Sequence, residues 1–141
     1  MVTFEDVGRI AQALPGVAES TSYGNRSWQV TGDGTAKAKS PTFVWERPLS
    51  KKDRKQLTEA GEIEVPPDEV ILAAQVEDLV EKEAVLAEHP AAVFTTQHFT
   101  GYPAVLVRLD RTDEDLLEEI VTSAWLAVAP QRLIDERTAG G

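Results

Sequence analysis

The chain of 141 residues contains no cysteine and only two histidines. Without cysteine it has no disulfide, thiolate nucleophile, iron–sulfur cluster or cysteine-ligated zinc site. His89 and His98 lie apart and outside any HExxH motif, so the sequence does not predict a transition-metal centre. We therefore expect neither a metal nor a cofactor, although the plentiful carboxylates leave hard cations open.

Long apolar runs are also lacking, and the first residues, MVTFEDVGRI, carry acids where a secretory signal carries cations. The sequence thus predicts neither a membrane helix nor a signal peptide, and the expected compartment is the cytoplasm. The length suits one domain with a core of its own. We assign residues 1–136 to a single domain and residues 137–141 to a frayed tail.

Signatures of catalysis are lacking as well: there is no GxSxG elbow, P-loop or GxGxxG. His98 is a candidate general base with Ser22, Ser27 or Tyr23 as partners, but nothing in the spacing requires them to meet. The acids of LDRTDEDLLEE fall in the first turns of a predicted helix, where the helix dipole favours them. We predict that the protein is not an enzyme.

A short basic segment stands out against a net charge of −10. Between residues 36 and 55 seven cations face two acids, which leaves a net charge of −15 on the rest of the chain. The cations are Lys37, Lys39, Arg47, Lys51, Lys52, Arg54 and Lys55. They suit contacts to the phosphates of DNA, or else they are solubilising side chains on an exposed strand and helix. The acidic remainder of the chain opposes the approach of a polyanion.

The stretch TTQHFTGYPAVLVRL, residues 95–109, combines turn chemistry with an alternating apolar run. Gly101 suits a tight reversal, and Pro103 suits the first position of a strand, so the stretch predicts a strand–turn–strand element. Loops on a rigid scaffold commonly carry recognition, which makes Tyr23, His98 and Tyr102 candidates for binding a protein or a small ligand. The large aromatics Trp28, Phe94, Phe99 and Trp125 are expected in the core.

The order of predicted elements is helix, several strands, helix, strand, helix, strand pair, helix. Thr3 with Asp6, and Ser50 with Asp53, have the spacing of helix starts, and residues 70–76 (VILAAQV) read as a central strand. We also expect Thr112 to cap the last long helix, and one or two further turns after Pro130. This order is typical of an α+β domain with a twisted, mainly antiparallel sheet and helices packed on it.

Three segments resemble the MmcQ/YjbR family of small bacterial proteins: TFEDVGRIAQALPGVAESTSYGNRSWQV, EKEAVLAEHPAAVFTTQHFTGYPAVLVRLD and AWLAVAPQRL. The resemblance implies a CyaY-like (frataxin-like) fold and, by analogy with a "double wing" module of a phage transcription factor, DNA binding. The fold also suggests an acidic iron-binding surface, but the acids here are scattered. We expect a non-enzymatic DNA-binding or regulatory domain, with a protein- or small-ligand-binding module as the alternative.

Overall fold

The computed structural model describes residues 2–22, 24–31, 40–61, 65–66 and 69–140. Its strands are β1 Val17–Ser22, β2 Asn25–Val30, β3 Thr42–Glu46, β4 Ile71–Gln75, β5 Val93–Phe94 and β6 Ala104–Arg108. Its helices are α1 Phe4–Gln12, α2 Lys51–Glu59, α3 Leu79–Glu88, α4 Glu114–Val128 and α5 Gln131–Gly140. Single 3-10 turns lie at Gln97–Phe99 and Leu109–Arg111. No helix in this described part is long and apolar enough to span a bilayer.

All six strands join one sheet in the order β1-β2-β3-β4-β6-β5, and every neighbouring pair is antiparallel. The predicted α+β class with an antiparallel sheet is therefore confirmed. The apolar run at residues 70–76 was predicted to be a central strand, and β4 does lie between β3 and β6. Continuous apolar sequence is what burial on both faces requires.

The helix starts follow their capping residues. Thr3 with Asp6, and Ser50 with Asp53, form the predicted capping boxes of α1 and α2. The expectation that Thr112 caps α4 is wrong. Asp113 takes that position because its carboxylate accepts a hydrogen bond from the amide of Leu116 at 2.8 Å. The hydroxyl of Thr112 instead donates to the carbonyl oxygen of Arg108 at 2.8 Å.

Side-chain alternation along the central strands divides the interior into two apolar clusters. Leu72 and Ala74 of β4 belong to a large cluster with α1, α4 and Leu133 of α5, which we call the main core. Ile71 and Ala73 face the other way, into a smaller cluster with Leu57 of α2, which we call the minor core. The sheet therefore has helices on both faces, but the cover on the minor-core face consists mainly of α2 and the turn at residues 97–99.

The large aromatics lie where the sequence predicted them. Trp28 and Trp125 are fully enclosed in the main core, and the indole N–H of Trp125 donates to the carbonyl oxygen of Pro15 at 3.1 Å. Phe94 and Phe99 are buried in the minor core. At the C-terminus, α5 continues to Gly140, further than the one or two turns expected after Pro130.

Candidate functional site

The stretch of residues 95–109 contains the turn and the second strand, β6, of the predicted strand–turn–strand element, whereas the first strand, β5, ends just before it at Phe94. After β5 the chain makes a 3-10 turn at Gln97–Phe99 and then reverses through Gly101, which has a φ of 76°. This positive φ suits glycine because a side chain is strained there. Pro103 precedes β6, and its carbonyl oxygen accepts a hydrogen bond from the amide of Val76 at 2.8 Å. The reversal is thereby fixed to the end of β4.

A buried lysine that the sequence analysis missed holds this reversal. Lys82 of α3 is 6% exposed, and its Nζ donates to the carbonyl oxygens of Phe99 at 2.7 Å and Tyr102 at 2.9 Å. Burial lowers the pKa of the Lys82 ammonium group. A signal was present in the sequence, since Lys82 precedes the core-facing Val85 and Leu86 by three and four positions. One lysine thus anchors the loop that carries His98 and Tyr102.

Aromatic side chains from this loop form a row on the minor-core face. The ring of Phe99 meets those of His98 and Tyr102 edge-on, with ring centroids 5.3 Å and 6.1 Å away. Phe99 is buried, whereas Tyr102 is 48% exposed. Trp45 of β3 packs against the same minor core and is partly exposed. We call Trp45, His98, Phe99 and Tyr102 the aromatic row.

Arg47 connects the aromatic row to α2. Its guanidinium lies 5.6 Å from the centroid of the Phe99 ring, pairs with the Asp53 carboxylate at 3.3 Å and donates to the carbonyl oxygen of Pro48. Burial acts to raise the pKa of Asp53, but hydrogen bonds from Ser50 and the charge of Arg47 outweigh it, so that this pKa lies below its ordinary value. These three contacts within the protein therefore fix the position of the Arg47 guanidinium.

The cations of α2 point away from the sheet because Asp53 and Leu57, four positions apart, are the buried residues of this helix. Lys51, Lys52 and Lys55 are exposed.

Two of the α2 cations have protein partners: Lys55 lies 3.9 Å from Glu59, and Arg54 donates to the carbonyl oxygen of Leu49 at 3.1 Å. In the part of the chain that the structure describes, neither Lys51 nor Lys52 forms an ion pair. The predicted basic residues Lys37 and Lys39, and the predicted loop residue Tyr23, lie outside the described residues.

Two cavities flank the aromatic row. One of about 340 Å³ lies beside the start of α2 and brings Arg47, Lys52 and His98 together, with the Arg47-paired Asp53 also in its wall. The other, of about 450 Å³, lies over β2–β4 and is lined by Trp45, Tyr102 and a small set of polar side chains. Arg47 and Lys52 from the basic candidates thus lie beside His98 from the loop candidates. His98 and Ser27, considered as a catalytic pair, line different cavities.

The opposite face carries the acids. A third cavity, of about 340 Å³, lies between α3 and α4 and is lined by Glu77, Glu81, Glu88 and Glu119 around an apolar floor. Along α4, acids alone supply the charge. Among the described residues, no three His, Asp or Glu side chains are grouped closely enough to hold a metal ion. Among the described residues, a group of acids therefore lies on the side of the sheet opposite the exposed lysines of α2.

Comparison with known proteins first defines a class: an antiparallel α+β domain of known architecture. A solved structure of the Deinococcus radiodurans protein DR2400, a DUF419 domain, superposes with a TM-score of 0.62 over 94% of this chain and 82% of the other. At 19% identity this likeness concerns the fold alone.

Sequence comparison then gives the family. The uncharacterised proteins Rv2570 of Mycobacterium tuberculosis and Mb2600 of Mycobacterium bovis are each 42% identical over 134 residues, which is 95% of this chain and 94% of theirs. The chain belongs to the family of these mycobacterial proteins. No family model matches it.

Proposed function

We propose that the protein is a non-enzymatic nucleic-acid-binding domain that contacts phosphates through the outward side of α2. Lys51, Lys52 and Lys55 supply the exposed charge. Arg47 and His98 line the adjoining cavity and extend this surface towards the loop. Lysine and arginine contacts to phosphate release counterions, which gives affinity without reading the base sequence. The proposal includes no chemical step.

The observation that carries the proposal is the separation of charge across the sheet. A polyanion at α2 is separated from the acids of α4 by two helix-to-sheet layers, roughly 20 Å in all. The Debye length is about 8 Å at physiological ionic strength, so these acids are largely screened there. The two acids within α2 itself are engaged, since Asp53 pairs with Arg47 and Glu59 with Lys55. The acids of α4 therefore contribute little repulsion to a polyanion bound at this face.

The resemblance to MmcQ/YjbR proteins supports the same function, because members of that family are labelled DNA-binding. That support is an analogy of fold, whereas the charges of α2 are observed in this chain itself. A small anion in the cavity of Arg47, Lys52 and His98 is the second candidate. Its volume of about 340 Å³ falls within the range typical of ligand pockets.

The test is a salt titration of binding to a fluorescent oligonucleotide, with wild type and a Lys51→Glu/Lys52→Glu variant. We expect the logarithm of the affinity to fall linearly with the logarithm of the salt concentration, with a shallower slope in the variant. Glutamate in the first turn of a helix is favoured by the helix dipole, so the variant should fold.

The matched control is Arg132→Glu/Arg137→Glu on α5, which changes the net charge by the same amount at exposed positions away from α2. We expect this control to bind nearly as the wild type does. Equal losses in the two variants would mean that only total charge matters, and the α2 surface would then be the wrong assignment. Binding of inorganic phosphate that depends on His98, without binding of oligonucleotides, would favour the small-anion candidate.

A further inference from the structure

We propose that the preferred ligand is single-stranded nucleic acid, with unpaired bases stacked on Trp45 and Tyr102. This inference rests on the proposed function and names its substrate class. The α2 lysines account for attraction to any polyanion, and they do not distinguish a duplex from a single strand. The aromatic row beside them supplies the distinction.

The cavity between Trp45 and Tyr102 has the composition of a base-binding site. Its volume is about 450 Å³, and the polar side chains of Ser27, Thr42 and Gln75 lie in its wall. Trp45 and Tyr102 offer ring surface, and hydroxyl and amide groups can bond to the edge of a base. Tyr102 is 48% exposed although it is a large aromatic side chain, so its ring remains available to a ligand.

Cationic groups lie next to these rings. Arg47 follows Trp45 by two positions, and its guanidinium stacks on Phe99, which in turn contacts Tyr102. Beyond Arg47, the cavity of about 340 Å³ beside the start of α2 leads to Lys52 and the exposed side of that helix. Aromatic platforms that adjoin a positively charged track are the arrangement by which proteins bind single strands without reading sequence.

A duplex does not use this arrangement, because its bases are stacked on one another and present only their edges in the grooves. The ring faces of Trp45 and Tyr102 gain a partner only when a base is unpaired. The loop is also held before binding, since Lys82 bonds to the carbonyl oxygens of Phe99 and Tyr102. A platform fixed in advance loses less conformational entropy when the ligand binds.

Intrinsic fluorescence reports directly on this proposal. Of the three tryptophans, Trp28 and Trp125 are fully buried and Trp45 is partly exposed. Titration with an oligothymidylate should quench the emission of Trp45 in the wild-type protein. The matching duplex should bind more weakly and leave the emission nearly unchanged. An oligouridylate in a parallel titration separates RNA from DNA, and quenching by either strand supports the proposal.

A variant pair completes the test. Base–aromatic stacking lost on Tyr102→Leu should raise the Kd for the oligothymidylate roughly 5- to 150-fold, whereas Tyr102→Phe keeps the ring and should bind nearly as the wild type. Equal affinity for single strand and duplex, or absent quenching together with unchanged binding by Tyr102→Leu, would overturn the inference. If the inference fails but oligonucleotide binding still depends on Lys51 and Lys52, the proposed function stands. If the wild-type protein binds neither the single strand nor the duplex, both proposals are rejected.

Discussion

The two faces of the sheet differ in how they are covered. On the main-core face, 24 of the described residues form one buried cluster beneath helices, whereas the minor core contains nine of them. That opposite face retains a cavity over β2–β4, with both aromatic and polar side chains in its wall, and an exposed Tyr102. Stability therefore depends chiefly on one face, and the other has surface left for a ligand.

The largest expected effect comes from opening a cavity in the main core. Leu117 of α4 is fully buried, so Leu117→Ala should lower the free energy of unfolding by about 2–5 kcal/mol, in the upper part of that range. Leu57→Ala, the same change in the minor core, should cost less, because α2 lies at the surface and can settle into the space. Urea denaturation of both variants measures the difference. A larger loss in the free energy of unfolding for Leu57→Ala than for Leu117→Ala would mean that the minor core contributes more to stability than the main core.

The next effect concerns Lys82, the lysine that holds the loop between β5 and β6. Lys82→Met keeps the length of the side chain but leaves the carbonyl oxygens of Phe99 and Tyr102 without their donor. An unsatisfied buried acceptor costs about 1–3 kcal/mol, so we expect a loss of that order in the free energy of unfolding. Amide hydrogen exchange should increase in residues 97–103 before it increases in α4. Uniform exchange throughout the protein would show that Lys82 does not act locally.

The burial of Lys82 also predicts a dependence on pH. Because burial lowers the pKa of Lys82 in the folded protein, the unfolded chain binds more protons between that pKa and the ordinary lysine value of about 10.4. The free energy of unfolding of the wild type should therefore rise with pH through this window, relative to Lys82→Met. Urea titrations of both proteins from neutral to alkaline pH measure the difference between their free energies of unfolding. A difference that becomes smaller as the pH rises would contradict the prediction. The neutral amine still donates two hydrogen bonds, so the loop stays anchored.

The sequence predicted the fold further than it predicted the site. Caps such as Ser50 with Asp53, and the apolar run of β4, are local signals that survive in the structure. The meeting of Arg47 with Phe99 is not local, since 52 positions separate them and strand pairing brings them together. The partners of Lys82 are not local either: its spacing to Val85 and Leu86 indicates a core-facing position, but no side-chain pattern reveals its backbone acceptors at Phe99 and Tyr102. Thr112 was misassigned because two adjacent residues were both plausible caps.

The smallest expected effect tests whether the sheet isolates the acidic side from the ligand. Glu118→Gln on α4 and Glu59→Gln on α2 remove the same charge, but Glu59 lies 3.9 Å from Lys55 whereas Glu118 lies on the other side of the sheet. At 0.15 M salt, screening should keep the change in oligonucleotide Kd for Glu118→Gln within about 1.5-fold. Glu59→Gln should strengthen binding more, because it releases Lys55 for phosphate. Lowering the salt to about 0.01 M lengthens the Debye length to about 30 Å, and the effect of Glu118→Gln on the Kd should then become measurable. Equal effects at 0.15 M would mean that the whole molecule, and not the α2 face, sets the field that a polyanion meets.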